Sequence, residues 1–480
     1  MSSWETPEDP SAASVSLTAP DAQAGQTLDS SSSSYSVLDF LGEDQTDRGC
    51  ENPEGHEVAQ DIEQEVTMLK VISDLDADLT NMVKFHEEFQ HMEQTCLVFE
   101  RLDMSLYDML EQREWEHHPL HEIRPVAKQL LVALDALKGL GVLHTDIKPD
   151  NVMFVNMKDQ PLRVKLIDLG CAIMASQVEL GTEIQPCGYM APEISLGLPF
   201  SEAVDVWGVG CVLAFLYLAQ NLFSVECKYQ MMKNMVTMLG QPQDHLLRAG
   251  KYSEQFFIEE EGEDSPSWRL MTAEEYTAVN NVETEEEEGF IELPNSLNGL
   301  IHIHPKLAEM EDRMAFVSLL EGLLHLDGDE RISPRQALEL PFISMSHLRE
   351  DVHSRDYLTT SQEAMRVCPT EDSVHCSTSD SGYSGSMDEV SWDSVEALDF
   401  TSATSELSWC SDLTINSRDT SVWSSIGDDD TREEVSCRSD KAADVTAAAT
   451  ASSGGKRTLL RRIRKFFSRL TSCCRPKPED

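Results

Sequence analysis

Basic residues are scarce in this chain. Of its 480 residues, 37 are Lys or Arg and 86 are Asp or Glu, so the formal net charge is −49 at pH 7. Because nucleic-acid phosphates repel a surface of that sign, the composition argues against nucleic-acid binding by the chain as a whole. The simpler alternative is that the acidity keeps the chain soluble. Hydrophobic residues still make up 40% of the sequence, which is enough for a sizeable core.

Signals for export and for metal or redox cysteine chemistry are also lacking. The opening residues, MSSWETPEDPSAAS, contain no basic or apolar stretch of the kind found in secretory signals, so we expect a reducing compartment and mostly free thiols. The 12 cysteines include no CxxC pair, which leaves no indication of a zinc ribbon or a redox motif. One uncharged run, 206–225, approaches the length of a membrane span. Since it contains two glycines, Gln220 and Asn221, we interpret it as a buried core helix.

Composition divides the chain into four parts. Residues 1–35 are rich in Ser, Ala, Asp and Pro, and residues 349–455 form an acidic, Ser-rich stretch; both compositions predict disordered tails. Residues 36–348 have apolar residues at strand and helix spacing and predict one folded domain. Within it we expect a strand at 35–42, a helix at 61–71, a strand at 95–99, and helices at 106–110, 126–137 and 314–326. Residues 456–477 are a separate basic segment.

The decisive segment for function is VLHTDIKPDNVMF, residues 142–154. It is followed by IDLG at 167–170 and by Ala-Pro-Glu at 191–193, with Asp168 seventeen positions after Asn151. Phosphoryl transfer needs a carboxylate to accept the substrate hydroxyl proton, and it needs ligands for magnesium. The HxDxKPxN pattern supplies Asp146 as the base, Lys148 facing the transferred phosphate, and Asn151 as a metal ligand, while Asp168 supplies the second ligand. Each motif alone is common, but together, in order, they are very specific and imply ATP and Mg²⁺ as cofactors.

With these motifs the chain resembles protein kinases of the CMGC group, and among them the homeodomain-interacting protein kinases. The resemblance is carried by YSVLDFLG (35–42), TCLVFE (95–100), LYDML (106–110), APEISLGLPF (191–200), AVDVW (203–207), WRL (268–270) and PFI (341–343). It spans roughly 36–348 and leaves out both tails. It implies an α+β, bilobal protein-kinase-like fold, with a reduced N-terminal sheet lobe at 36–101 and a helical C-lobe at 102–348.

The resemblance also implies residues that contact the nucleotide. Glu65 falls at the glutamate of the family's helix C, and Phe99 falls at the gatekeeper position. The segment from Glu100 to Leu102 would then be the hinge that touches adenine.

Three further residues would support the site within the C-lobe. Asp205 would anchor the catalytic loop, and Glu193 would pair with Arg331. For each residue taken alone, ordinary packing or a surface charge explains it about equally well. Their register with Asp146 favours the functional interpretation.

The region before Glu65 departs from the family pattern. Gly42 is followed by EDQTDRG instead of a GxGxxGxV loop, no VAIK-like strand follows, and the Lys nearest to Glu65 is Lys70, on the same predicted helix. Both the phosphate-covering loop and the Lys–Glu ion pair are therefore missing. The prediction is a Ser/Thr-type protein kinase of low activity, and the alternative is a pseudokinase that acts as a protein-binding scaffold. A sequence that lacks an exon would look the same.

The activation segment departs as well. The loop reads His-Thr-Asp at 144–146, so it lacks the Arg that binds a phosphorylated segment. Glu183 stands where the resembled family has a Tyr, and its fixed charge could replace a phosphate, although a solvated loop Glu is the more ordinary interpretation. Cys187 and Met190 replace the basic residues that precede Ala-Pro-Glu in the family, which leaves the peptide preference open.

The basic segment 456–477 predicts an amphipathic helix with nine Lys or Arg and no acidic residue. Its apolar residues share one stripe: Leu459, Leu460, Ile463, Phe466, Phe467, Leu470, Cys473 and Cys474. We interpret it as a helix that lies on an anionic membrane surface, with S-acylation at Cys473 and Cys474 as a second anchor. Nuclear import, calmodulin binding and contact with the acidic tail are the alternatives. The expected partners are protein substrates or scaffold partners, and the expected location is the cytoplasm at the inner face of a membrane, with the nucleus as the alternative.

The acidic tail contains one short motif of its own, DSGYSGS at 380–386. It resembles a phosphodegron that ubiquitin ligases read, although Ser-rich acidic tails often produce such strings by chance.

Overall fold

A computed structural model describes residues 13–17, 26–37, 56–91, 94–261, 267–282, 284, 293–303, 309–348 and 355–370. Helices and small antiparallel sheets make up this part of the chain, which confirms the predicted α+β kinase-like fold. A reduced sheet with one long helix precedes a larger, mainly helical region.

In the part of the N-terminal lobe that the structure describes there are five strands and one helix. They are β1 (Ala13–Leu17), β2 (Thr27–Asp29), β3 (Ser34–Ser36), α1 (His56–Ile72), β4 (Phe85–His91) and β5 (Gln94–Glu100). Strands β1, β5 and β4 form an antiparallel sheet in that order, and β2 and β3 form a hairpin. Helix α1 turns Val66, Leu69 and Ile72 into the core. The helical spacing of Ile62, Val66 and Leu69 predicts this face, and Ile62 is only partly buried.

The C-lobe begins with α2 (Leu106–Gln112), α3 (Leu120–Leu140), β6 (Val142–Leu143), β7 (Val152–Asn156), β8 (Gln160–Leu166) and β9 (Ile173–Met174). It continues with α4 (Pro192–Leu196), α5 (Ala203–Leu218), α6 (Lys228–Leu239), α7 (Asp244–Ala249), β10 (Phe257–Glu260), β11 (Ser267–Leu270) and α8 (Ala273–Asn280). The last elements are α9 (Met310–Leu323), α10 (Pro334–Glu339), α11 (Pro341–Ser344) and α12 (Arg355–Met365). Antiparallel two-stranded sheets pair β6 with β9, β7 with β8, and β10 with β11.

Helices α3 and α5 pack against each other at the centre of the C-lobe. Helix α3 ends at Leu140 and is capped by Gly141, whose φ of 67° is the left-handed conformation that glycine adopts without a Cβ clash. Helix α5 is buried on all sides, so the prediction of a buried core helix in the apolar run 206–225 is confirmed. The helix ends at Leu218, before the end of that run. Among the described residues, no helix combines the length and the apolarity that crossing a bilayer requires.

The prediction of disorder over 1–35 is wrong for β1 and for the β2–β3 hairpin. Leu28 is 1% exposed and packs with Phe89, Cys96 and Val98 on one face of the sheet, while Tyr35 stacks on Phe89 with ring centroids 5.8 Å apart. A segment with few apolar residues can therefore be ordered when an existing sheet buries those few. Of the strand predicted at 35–42, only the first residues belong to β3, and residues 38–42 lie outside the described residues.

The predicted disordered tail from 349 is also wrong in its first part, because α12 packs against α3. Leu358 and Cys368 are buried, and the Tyr357 hydroxyl donates a 2.5 Å hydrogen bond to the buried Asp312 carboxylate. Apolar burial and one charged hydrogen bond together offset the cost of ordering this helix. The rest of that predicted tail, the motif at 380–386 and the basic segment 456–477 lie outside the described residues.

Candidate functional site

The segment 144–151 forms a loop between β6 and β7 and is held from below by Asp205, on the first turn of α5. The Asp205 carboxylate, 2% exposed, accepts hydrogen bonds from the backbone N–H groups of His144 at 2.7 Å and Thr145 at 2.8 Å. Burial raises the pKa of Asp205, although His144 and these backbone donors act in the opposite direction. The predicted anchoring of the loop by Asp205 is confirmed.

The side chains of Lys148 and Asn151 meet on the carboxylate of Asp146. The Asp146 Oδ2 atom lies 2.8 Å from Lys148 Nζ and 2.8 Å from Asn151 Nδ2, and that amide also donates to the Asp146 carbonyl at 3.0 Å. Burial alone would lower the pKa of Lys148, but the Asp146 carboxylate raises it above the usual value, so the ammonium stays charged. The three catalytic-loop residues predicted from the sequence, Asp146, Lys148 and Asn151, therefore form one hydrogen-bonded group.

His144 connects this loop to the segment that carries Asp168. Its Nε2 atom donates to the Ile167 carbonyl at 2.9 Å, and its Nδ1 atom accepts from the Asp146 N–H at 3.3 Å. The Ile167 N–H donates in turn to the Asn151 carbonyl at 3.0 Å. Ile167, the residue before Asp168, is therefore hydrogen-bonded to the catalytic loop through both its carbonyl and its N–H, and this fixes the backbone next to Asp168.

The local geometry of Asp168 depends on Gly170. Asp168 has φ of 62°, and its Oδ1 atom accepts the Gly170 N–H at 2.9 Å. A Cβ atom at position 170 would lie 3.1 Å from that same oxygen, which is a close contact. The glycine avoids this contact with the Asp168 carboxylate because it has no side chain.

The oxygens of Asn151 and Asp168 fit a magnesium ion. The Asn151 amide nitrogen donates to Asp146, so its amide oxygen takes no part in that contact, and the Asp168 carboxylate accepts the Gly170 N–H through one of its two oxygens. Carboxylate and amide oxygens are the hard ligands that Mg²⁺ prefers. These two side chains would hold the ion, as the sequence predicts, and their roles remain predictions.

Helix α1 is docked against the segment that follows Asp168. The Gln64 amide donates to the Ala172 carbonyl at 2.9 Å, and Glu65 Oε2 lies 3.9 Å from the position that a Cβ of Gly170 would occupy. The predicted helix-C glutamate therefore lies next to the DLG turn. Lys70 cannot reach it, because it projects outward and pairs with Glu88 of β4 at 3.0 Å.

The strand that flanks β5 on the side away from β4 is β1. Its sequence, ASVSL, contains no basic residue. In protein kinases the Lys that pairs with the helix-C glutamate comes from a strand that precedes that helix. The described residues before α1 supply no such lysine.

The predicted gatekeeper Phe99 lies at the end of β5, and the predicted hinge from Glu100 to Leu102 begins at the last residue of that strand. Phe99 packs on Phe85 with ring centroids 5.6 Å apart, and Leu102 is buried. The Glu100 side chain points to Lys165 of β8, with Oε1 and Nζ 2.5 Å apart. Any contact of Glu100 with adenine would therefore come from its main chain.

Sequence reasoning did not find the roles of Thr145 and Lys165. The Thr145 hydroxyl donates to the Cys171 carbonyl at 2.7 Å and so links the catalytic loop to the activation segment without the family's arginine. Lys165 is 1% exposed and lies in the apolar run of β8. A lone lysine between Val164 and Leu166 was the signal that could have revealed it.

The activation segment is held by contacts with α6 and with the loop that precedes it. Glu183 forms an ion pair with Lys228, both on the surface. Cys187 Sγ lies 3.4 Å from the Ser224 carbonyl oxygen, and Met190 is buried. The residues at the family's basic positions therefore serve packing, and the negative charge of Glu183 has a cationic partner.

The fold and this catalytic loop are those of a protein kinase domain, and a comparison with family profiles agrees: the protein kinase domain profile matches residues 50–343. The chain belongs to the protein kinase family.

Curated relatives refine this assignment. The chain is 38% identical over 312 residues to homeodomain-interacting protein kinase 2 of Mus musculus, covering 63% of this chain and 26% of the relative. It is 35% identical over 319 residues to homeodomain-interacting protein kinase 1 of Caenorhabditis elegans, covering 63% and 38%. It is 32% identical over 369 residues to homeodomain-interacting protein kinase 4 of Homo sapiens, covering 71% and 60%. The resemblance to this kinase group is confirmed, and the chain spans less than two thirds of these relatives.

Proposed function

We propose that the chain is a Ser/Thr-type protein kinase of low activity, transferring phosphate from ATP to protein hydroxyls. The observation that carries the proposal is the group around Asp146, whose carboxylate lies 2.8 Å from both Lys148 Nζ and Asn151 Nδ2. A carboxylate held by two donors in a fixed position can accept the proton of a substrate hydroxyl. The relatives' names, which say that they interact with homeodomains, support protein substrates or partners in general.

Each residue of the group has a separate task in this mechanism. Asp146 accepts the hydroxyl proton, and Lys148, whose pKa is raised by Asp146, stays positively charged toward the transferred phosphate. Asn151 and Asp168 would hold the magnesium. When bound, Mg²⁺–ATP supplies the phosphoryl group and neutralises charge that develops during transfer. Glu100 and Leu102 would hold the adenine through the hinge.

The activity is proposed to be low because Glu65 has no lysine opposite it on β1. Loss of one preorganised positive donor at a site of developing charge costs on the order of 10²–10³ in rate. The sequence after Gly42 also lacks the glycines that cover the phosphates.

The test uses the purified full chain. Phosphate transfer from ATP to a mixed protein substrate is measured together with the thermal shift produced by ATP and Mg²⁺. We expect slow transfer that Asp146→Asn and Asp168→Ala abolish and that Asp159→Asn, an exposed carboxylate in the β7–β8 turn, leaves unchanged. Absence of both transfer and thermal shift would contradict the proposal.

A scaffold function is the second candidate, and the lysine-free β1 strand is the observation that favours it. In this case the C-lobe binds a partner and the nucleotide site is idle or serves only as a switch. Nucleotide binding without transfer in the same assay would indicate a nucleotide-gated scaffold.

We also propose that 456–477 attaches the protein to the cytosolic face of a membrane. The support is its sequence: nine basic residues, an apolar stripe, and Cys473 next to Cys474. One acyl chain binds only marginally, whereas an acyl chain and a basic patch together hold stably. In the full chain, Cys473→Ser with Cys474→Ser should weaken attachment, and adding Phe466→Glu with Phe467→Glu should release it. A fluorescent full chain that stays in the nucleus regardless of these changes would identify an import signal instead.

A further inference from the structure

Lys165 is a fully buried cation that lies outside the catalytic group. It is 1% exposed, and its Nζ atom lies 2.5 Å from Glu100 Oε1 and 2.8 Å from Asp78 Oδ1. A buried ammonium is stable only when it is paired. The two carboxylates therefore fix where Lys165 can be, and Lys165 fixes them in return.

The three partners belong to three different parts of the nucleotide site. Glu100 begins the hinge, and Asp78 lies in the loop that joins α1 to β4. Lys165 itself lies on β8, three residues before Asp168. One side chain thus connects the hinge, the loop that follows helix α1 and the strand that leads to the predicted metal ligand.

Backbone contacts show that the loop after α1 is fixed to β8 at the same place. The Leu166 N–H donates to the Asn81 carbonyl at 2.8 Å, and the Val83 N–H donates to the Leu166 carbonyl at 2.9 Å. Arg163, on the same face of β8 as Lys165, donates to the Asp78 carbonyl at 2.6 Å.

Glu100 is held from a second side. Its Oε1 atom also accepts the Lys84 N–H at 2.6 Å, so the carboxylate bridges β8 and the start of β4. Burial alone would raise the pKa of Asp78, but Lys165 stabilises the charged carboxylate and the pKa of Asp78 is lowered. The network therefore pairs one buried lysine with two carboxylates, of which Asp78 is 63% exposed and also solvated by water.

We propose that Lys165 is a positioning residue for nucleotide binding, which sets the hinge and helix α1 against the strand that carries Asp168. This inference rests on the proposed kinase function. In protein kinases a lysine on the strand next to β5 pairs with the helix-C glutamate, which is Glu65 in this chain. The strand in that place, β1, contains no lysine. Gln64, the loop on β8 and Lys165 are contacts that connect α1 and the segment after it to the part of the chain that carries Asp168.

The test measures Mg²⁺–ADP affinity of the full chain by calorimetry, at a temperature where circular dichroism shows each variant folded. We expect Lys165→Met to weaken binding roughly tenfold, because Glu100 and Asp78 lose their cation and the hinge relaxes. The matched control is Lys158→Met, which removes an exposed lysine from the turn before β8 and should leave affinity unchanged. Amide exchange at 100–103 and 167–172 should speed up in Lys165→Met alone.

A second variant covers the case in which Lys165→Met does not fold. Glu100→Gln keeps the pair of Lys165 with Asp78 and should weaken binding by a smaller factor, about threefold. In folded protein the double variant Lys165→Met/Glu100→Gln should be no weaker than Lys165→Met, because both changes break the same contact.

Two results overturn the inference, and they can be told apart. If the unaltered chain binds Mg²⁺–ADP and the folded variants bind it equally well, Lys165 has only a structural role and the kinase proposal stands. If the unaltered chain binds no nucleotide, the kinase proposal fails and this inference fails with it.

Discussion

Glu193 and Arg331, 138 residues apart in the chain, form a two-pronged ion pair with contacts of 2.6 and 2.8 Å. Both side chains are buried, and the guanidinium also lies over the Trp207 ring, 5.2 Å from its centroid. Arg331 donates further to the His325 and Ala203 carbonyls, at 2.9 and 2.8 Å. The pair therefore joins the end of the activation segment, α5 and the segment after α9.

Arg331→Met should destabilise the domain by about 3–5 kcal/mol, because it leaves the Glu193 carboxylate buried without its cation. Urea unfolding of the full chain measures the change. Arg335→Met is the matched control, since Arg335 is 80% exposed and lies 3.5 Å from Asp135. It should change the free energy of unfolding by less than about 0.5 kcal/mol. Equal effects from the two variants would show that the buried pair contributes little.

A lysine introduced on β1 should restore part of the missing ion pair. Position 16 pairs with Leu97, which packs in the core with α1, whereas position 15 pairs with Val98 on the opposite face of the sheet. Directly paired positions share a face. Because position 16 pairs with Leu97, Ser16→Lys should add a positive charge to the strand beside the nucleotide site and tighten Mg²⁺–ADP binding about fivefold.

The control for that change is Val15→Lys, which places the same charge on the face that the β2–β3 hairpin covers. It should lower stability without raising affinity, and calorimetry on folded protein separates the two effects. A rise in affinity with both variants would mean that added charge acts without regard to position.

Acid stability should depend on Glu122. Burial alone would raise its pKa, but hydrogen bonds from His118 and Arg113 lower it from 4.5 to about 2. A carboxyl whose folded pKa is lowered stabilises the fold above its unfolded pKa, and that stabilisation is lost as pH falls. The free-energy difference between the unaltered chain and Glu122→Gln should be constant above pH 4.5 and should shrink between pH 4.5 and about 2. Urea unfolding at several pH values tests this, and a constant difference down to pH 2 would contradict it.

Docking of α12 should depend on the hydroxyl of Tyr357. That group donates to Asp312, whose side chain is fully buried and also lies 2.5 Å from Arg124. Tyr357→Phe should cost about 1.5–3 kcal/mol, the usual value of a hydrogen bond to a charged group. Thr359→Ala, at an exposed position of the same helix, should cost less than about 0.5 kcal/mol. Thermal unfolding compares the two variants. Equal losses of stability would mean that the Tyr357 hydroxyl does not hold α12 in place.

Long periodic segments were predictable from the sequence because their own residues determine them. The apolar stripe predicted a helix at 126–137, and α3 extends over Leu120–Leu140; the pattern at 61–71 predicted a helix, and α1 extends over His56–Ile72. The predicted bounds are short because the end turns carry fewer apolar residues and depend on their neighbours.

The sequence by itself determined the catalytic group. Asp146, Lys148 and Asn151 lie within six residues of one another, so a single loop brings them together whatever surrounds it. Only the tertiary structure decided that Leu28 and Tyr357 are ordered and that Lys165 joins Glu100 to Asp78. The physical reason is distance along the chain. A Ser-rich or acidic segment becomes ordered when a remote surface buries its few apolar groups, and a lysine can be buried when carboxylates from other elements surround it.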